Sequence, residues 1–284
     1  MLPKPNQPYR GKMNMKKVLA PLAIALMASV SSSFAADCAN PVTTITEGKL
    51  TVAAYDYPPF TAVSSDGKIS GIDPDIIEKA AKENCLEVVP LVMDPAATIQ
   101  AVVAGKADVA IGSWNRTEKR SKVLGISAPT YLDPMGMFSK DGVDTVEALI
   151  GKNVGTVQGY LWVPELQTLL GGKLKLYPTA VALAQDLEAG RIDVGVDAYN
   201  YGVYVQKTSG GYKGIAIKLA QPDDRVQASI TPPQAGLLYT KGNDSLGKAL
   251  DASVAKQHDA IVEALEKVGF DKKVGDVGEP RLTK

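Results

Sequence analysis

Hydrophobic positions along this chain fall into short apolar runs separated by stretches of helical periodicity, and that alternation predicts strand-helix-strand units. Residues 50–55, 86–93 and 107–111 are runs of strand length. Between them Asp73 caps and Pro74 opens a helix whose buried face carries Ile76, Ile77 and Ala80. Asp94-Pro95 repeats the cap-plus-proline signal before a helix ending at Gly105. The first strand breaks at Asp56-Tyr57-Pro58-Pro59-Phe60, because two prolines cannot continue a central ladder. After an extended segment at 134–140, Asp144-Thr145-Val146-Glu147 has the spacing of a capping box for a short helix stopping at Gly151. Strands at 153–157, 174–177 and 192–196 follow, with a Thr179-capped helix to Gly190 between the last two. A strand at 236–240, a turn and cap at Gly242-Asn243-Asp244 and an amphipathic helix at 245–268 close the chain.

This order predicts an α/β protein of two lobes, each a mostly parallel sheet flanked by helices. The two units share a signature: Ala104-Gly105-Lys106-Ala107-Asp108-Val109-Ala110-Ile111 in one, Ala189-Gly190-Arg191-Ile192-Asp193-Val194-Gly195-Val196 in the other. The expected domains are residues 48–132 plus 236–284 for the first lobe and 133–235 for the second. The returning tail makes two crossings between the lobes, a hinge. Ligands of parallel sheets sit beyond the carboxyl ends of the strands. Four strand-end loops, at 56–60, 113–120, 158–162 and 197–201, would therefore face a cleft between lobes.

Composition adds compartment. With 284 residues, 45% hydrophobic and 22% charged, the chain is long enough for two ordinary domains and is not of disordered type. Lys16-Lys17, the apolar run 18–30 and Ser31 to Ala35 have the three parts of a secretory signal, with cleavage expected near Ala35. The run is about 13 residues, short for a hydrocarbon core of roughly 30 Å. All five basic residues of this leader lie where no acid occurs, so the mature chain carries 26 basic against 31 acidic residues. No basic patch points to nucleic acid. Export makes Cys38 and Cys85 readable as a disulfide, worth about 4 kcal/mol in the loop-entropy account; two separate buried thiols are the alternative.

Candidate chemistry concentrates in residues 112–120, GSWNRTEKR, directly after an apolar strand. Thr117 would cap a short helix and Arg120, one turn in, could offer two parallel N–H donors to a carboxylate. Aromatic residues gather on the same loops: Tyr57, Trp114, Tyr160, Trp162, Tyr199 and Tyr201, in a chain that is 6% aromatic. They suit an apolar, aromatic or cationic ligand side chain, although Trp162 and Tyr201 could instead pack inward. Arg116 is either a second anion contact or an exposed residue. The sole histidine, His258, belongs to the amphipathic tail, and no metal-ligand spacing or phosphate-binding loop occurs, so no cofactor is expected.

With these loops located, the chain resembles the periplasmic solute-binding proteins of amino-acid ABC importers, family 3 of the extracellular solute-binding proteins. The resemblance rests on Tyr57-Pro58-Pro59-Phe60, Gly71-Ile72-Asp73-Pro74-Asp75, Gly105-Lys106-Ala107-Asp108, Thr117-Glu118-Lys119-Arg120 with Ser127-Ala128-Pro129-Thr130-Tyr131, and residues 190–197. It implies that Arg120 pairs with a ligand α-carboxylate, that Asp197 accepts from its α-ammonium and that Tyr57 covers its side chain. Asn115, standing where the family usually has a small hydroxyl residue, can still donate an amide N–H. Phe60, Gln158, Trp114, Tyr160, Trp162 and Tyr199 complete the candidate contacts. In the second lobe Gly159 is followed by Tyr160-Leu161-Trp162 rather than by small hydroxyl residues. The resemblance further implies a monomeric, non-enzymatic binding protein whose partners are an amino-acid-like solute and a membrane permease. Two alternatives share the fold: an exported dehydratase of prephenate-like or arogenate-like acids, needing a general acid such as Glu165, Glu118 or Lys119, and a ligand-sensing domain.

Overall fold

The computed structural model describes residues 42–283. The leader and Cys38 lie outside the described residues, and Cys85 stands just beyond the first long helix with φ of 54°. In chain order the elements are β1 (Lys49–Ala54), β2 (Ala62–Val63), β3 (Ile69–Ser70), α1 (Ile72–Glu83), β4 (Glu87–Val92), α2 (Pro95–Val103), β5 (Val109–Asn115), α3 (Glu118–Ser121) and β6 (Leu124–Ile126). There follow β7 (Met135–Ser139), β8 (Val154–Val157), α4 (Val163–Leu170), β9 (Leu174–Tyr177), α5 (Ala180–Glu188), β10 (Val194–Ala198), α6 (Tyr199–Thr208) and β11 (Ala216–Leu219). The last are α7 (Gln227–Ile230), β12 (Ala235–Thr240) and α8 (Asp244–Lys267).

Two five-stranded sheets have the same plan. One runs β4-β1-β5-β12-β6 and the other, read in the same sense, β9-β8-β10-β7-β11. In each, three adjacent strands are parallel, the fourth is antiparallel and the fifth turns back, so four of five strands share one direction. The sequence repeat maps onto the central parallel strands β5 and β10, and its aspartates do one job twice. Asp108 accepts from the backbone N–H of Ile45 and of Thr51 in β1, at 2.8 Å each, while Asp193 accepts from the N–H of Asn153 at the mouth of β8, at 2.7 Å. Each carboxylate thus satisfies strand-entry donors that a parallel ladder leaves over.

Helices cover the faces because their apolar stripes match the sheets. Leu50, Ile76, Ile77 and Ile111 are at most 2% exposed, and each such side chain contributes about 1.5–3 kcal/mol by burial. Asp94 and Thr179 cap α2 and α5 by accepting from Ala97 and Ala182 N–H, and Asn243 caps α8 through Leu246 N–H.

Three local expectations are corrected. Helix α1 begins at Ile72, two residues earlier than the Asp73 cap and Pro74 start implied, with Gly71 before it at φ of 120°. A Cβ on Gly71 would stand 2.5 Å from the Pro59 carbonyl oxygen, and Asp73, released from capping, reaches across to β5. The 144–147 capping box does not form: Thr145 Oγ1 accepts from Ala148 N–H, and Asp144 engages Gln221 instead. Residues 112–115 are not a loop but the end of β5, paired with β12.

The chain passes between the sheets twice, at 127–134 and 231–234, and the passages pair with one another. Asp133 N–H donates to Pro233 O at 2.9 Å, and Ala235 N–H to Tyr131 O at 2.8 Å. Two short paired connections between packed lobes are a hinge.

Candidate functional site

The loops at the carboxyl ends of β1, β5, β8 and β10 meet between the lobes. On the first lobe the end of β5 is bent into the cleft by its backbone. Gly112 has φ of 124° and Ser113 φ of 57°, and the β12 register shifts opposite, between Gly236 and Leu238. A side chain at Gly112 would collide with the Tyr55 ring, 2.2 Å from the Cβ position. Asp73 holds the bend: one carboxylate oxygen accepts from Gly112 N–H and Ser113 N–H, at 2.9 Å each, and the other from Tyr131 O–H at 2.7 Å. Burial still raises the Asp73 pKa, with those donors opposing the rise.

Beyond the bend Thr117 caps α3 through Arg120 N–H at 3.1 Å. The Arg120 guanidinium lies 5.0 Å from the Trp114 ring centroid and donates to Asn115 O and, across the cleft, to Gly159 O at 3.0 Å. It is 9% exposed, and among the described residues no carboxylate forms an ion pair with it. Burial brings its pKa down to about 10, with Tyr55 and Tyr160 pulling the other way. The desolvated cation is met by two carbonyl dipoles and the Trp114 ring, and by no carboxylate among the described residues.

Two buried carboxylates accompany it. Asp197, next to last in β10, is fully buried; its Oδ1 accepts from Tyr57 O–H at 3.2 Å and from Ala198 N–H at 2.7 Å, whereas Oδ2 has no hydrogen bond of ordinary geometry. Burial pushes Asp197 up to about 7. The Tyr57 bond joins the lobes, and so does the stack of Tyr57 on Tyr201, with centroids 4.3 Å apart and planes at 11°. Parting the lobes would break both. Asp133, in the first hinge passage, is 3% exposed with Oδ1 unpartnered, and burial pushes it up to about 8, the Ser113 hydroxyl offsetting part of the rise. Asn115 Oδ1 and the Ser113 and Tyr160 hydroxyls likewise lack a hydrogen bond of ordinary geometry. Five of the buried unpartnered polar side chains among the described residues thus converge here, against the general rule that buried polar groups are paired.

The space enclosed by Arg120, Asp133, Asn115, Tyr57, Tyr160 and their neighbours is about 10 Å³, room for one water. The hinge must therefore open before anything larger enters.

The other sequence candidates divide. Trp114 and Trp162 border the enclosed space, each with its indole N–H satisfied, by Ile111 O and by Thr156 Oγ1. Phe60 does not; it is core behind Tyr57, stacked on Tyr131 with centroids 4.8 Å apart. Gln158 is exposed, and its backbone N–H continues toward Tyr177 O. Tyr199 opens α6, half-buried, with its N–H on Pro134 O and its ring outside the lining. Arg116 is neither exposed nor an anion contact: it is buried, and its guanidinium donates to Ser127 O, Gln234 Oε1 and Arg281 O, fastening the hinge to the first lobe. Glu118 and Lys119 are exposed, and Glu165 accepts weakly from Gln227 N–H at 3.4 Å, away from the lining. Sequence reasoning included Ser113 only as part of the 113–120 loop and missed Tyr55, Asp73 as a clamp and Asp133. A lone acid within the apolar crossing Tyr131-Leu132-Asp133-Pro134-Met135 was the available signal for the last.

Similarity to known proteins agrees with this geometry. The chain is 27% identical to the L-cystine-binding protein TcyJ of Escherichia coli strain K12 over 88% of its length and 92% of the relative's. It is 29% identical to the histidine-binding periplasmic protein of the same strain, over 90% and 98%. The fold superposes on an ancestral arginine-binding protein bound to glutamine with TM-score 0.66 at 25% identity, over 78% of this chain and 96% of that one. These relatives are solute-binding proteins, not enzymes. The pattern of bacterial extracellular solute-binding proteins, family 3, matches residues 50–268, and with the cation, carboxylates and hinge gathered at one cleft, this chain belongs to that family.

Proposed function

We propose that the protein is exported to the periplasm and binds an α-amino acid between its lobes, delivering it to the permease of an ABC importer. The observation that carries this reading is Arg120, a buried cation without a carboxylate partner at the hinge-gated cleft. A ligand α-carboxylate supplies the missing charge, and Asp197 accepts from the α-ammonium. Closure then buries a zwitterion with each charge met, which is the condition for burying one at all. Ligand favours the closed form by contacts that exist only when both lobes reach it, and the closed form is what a permease recognises.

The test is titration of the ligand-stripped mature protein with a panel of L-amino acids, followed by each hit with its α-carboxyl amidated and with its α-amine acetylated. A true ligand at 100 times its Kd raises stability by about 2.7 kcal/mol, and both blocked forms lose that gain. Full retention by the amidated form sinks the assignment of Arg120. Recovery of the compound unchanged distinguishes binding from turnover.

A further inference from the structure

The cleft holds one more acidic side chain than a zwitterion needs. Arg120 and Asp197 account for an α-carboxylate and an α-ammonium; Asp133 is left over. Its place is well defined, since its backbone N–H is tied to Pro233 O and Leu132 N–H to Val274 O, so the residue is fixed on both sides of the hinge passage. Its side chain borders the same enclosed space as Arg120, with Oδ1 buried and unpartnered. Among the described residues no Lys or Arg forms an ion pair with it, and the one cation bordering that space is Arg120, already donating to Asn115 O and Gly159 O. The rings of Tyr55, Tyr57, Trp114 and Tyr160 border the same space, apolar area that excludes water and whose faces attract cations. Beside a neutral side chain, burial keeps Asp133 in its protonated form; a cationic side chain favours the carboxylate and completes the charge balance.

We infer that Asp133 is the specificity carboxylate of this cleft and that the solute is an amino acid with a positively charged side chain, its distal cation meeting Asp133 while its α-groups meet Arg120 and Asp197. This rests on the zwitterion reading above and adds the side-chain class to it. Among the described residues bordering the enclosed space, Asp133 is the one acidic side chain.

The experiment compares L-arginine with L-citrulline and L-lysine with L-norleucine, close in shape and differing in side-chain charge, on the intact mature protein. The wild type should bind each cationic member about 30-fold or more tightly than its neutral partner, the scale of leaving one buried charge unpaired. Asp133→Asn should collapse each ratio to within a fewfold, and its ligand-free thermal midpoint, measured at pH 8, should be no lower than the wild type's because a buried charge is removed. Equal wild-type affinity within each pair overturns the inference, as does a ratio that survives Asp133→Asn. Loss of both members together in that variant also overturns it, since Asp133 would then hold the α-ammonium. Binding of neutral amino acids alone leaves the zwitterion reading standing and removes this one; binding of no amino acid removes both.

Discussion

Strands β5 and β10 start as near copies and end as opposites. Both follow an Ala-Gly-basic turn, both occupy the centre of a sheet, and both carry an aspartate that satisfies the strand beside them. Past the repeat they diverge. β5 continues through Gly112 and Ser113 in left-handed backbone, clamped by Asp73, and delivers a buried cation. β10 runs straight into α6, which begins at Tyr199 without a side-chain cap, and delivers a buried carboxylate. The shared scaffold shows that the sheets supply position, while a few residues beyond each strand supply the sign of the charge. Opposite signs on facing lobes are the arrangement that the proposed zwitterionic ligand requires.

The largest break in this comparison is removal of the cation. Arg120→Ala is expected to weaken amino-acid binding by about 3 kcal/mol or more, measured by calorimetric titration, while ligand-free stability shifts by less than about 1 kcal/mol because no ion pair is lost. The matching change on the other lobe, Asp197→Asn, should also weaken binding, and binding to both variants should differ in its dependence on ligand α-groups.

Next comes the clamp that only the first lobe has. Asp73→Ala leaves two buried N–H groups and the Tyr131 hydroxyl without their acceptor, and should cost about 3 kcal/mol in chemical denaturation. A loss below about 1 kcal/mol would mean that β12 pairing alone sustains the bend.

The carboxylates predict an unusual pH profile. Asp197 and Asp133 rise from an ordinary value of 3.8 to about 7 and about 8 in the folded protein, so the native state binds more protons than the unfolded one between those values. Their contribution is fully present below about pH 4 and is lost as pH rises to about 8, by at most about 1.4 kcal/mol per pH unit for each group. Ligand-free wild type should therefore lose thermal stability from pH 5 to 8 relative to Asp197→Asn. Amino-acid affinity should run the opposite way, falling below pH 7 as Asp197 takes up its proton. A parallel pH course for wild type and variant would place Asp197 in solvent-like surroundings.

The smallest effect sharpens the difference in strand endings. Thr117→Ala removes the cap of α3 and should cost about 1 kcal/mol of stability, with a modest affinity loss as Arg120 gains freedom. No corresponding cap exists at the start of α6 to remove.

Apolar runs, proline breaks and cap residues set the element order, and the repeated Ala-Gly-basic segments made two similar lobes legible, because these signals depend on neighbours in the chain. Arg120 was legible for the same reason: Thr117 and Arg120 interact across one turn. Asp73 shows the limit. Its sequence context reads as a helix cap, yet its carboxylate spans to β5, a contact that exists only after the sheet has formed. Arg116 and Arg120, four residues apart on one short segment, have opposite fates, one locked against Gln234 and Arg281 O, the other left at the cleft. Phe60 and Tyr57, three apart, divide in the same way between core and cleft. Asp133 acquires its character solely from burial at the paired hinge passages. Local sequence determined which strands and helices form and which charges are on hand; tertiary structure decided which of those charges lost both water and partner, because desolvation is set by residues distant in the chain.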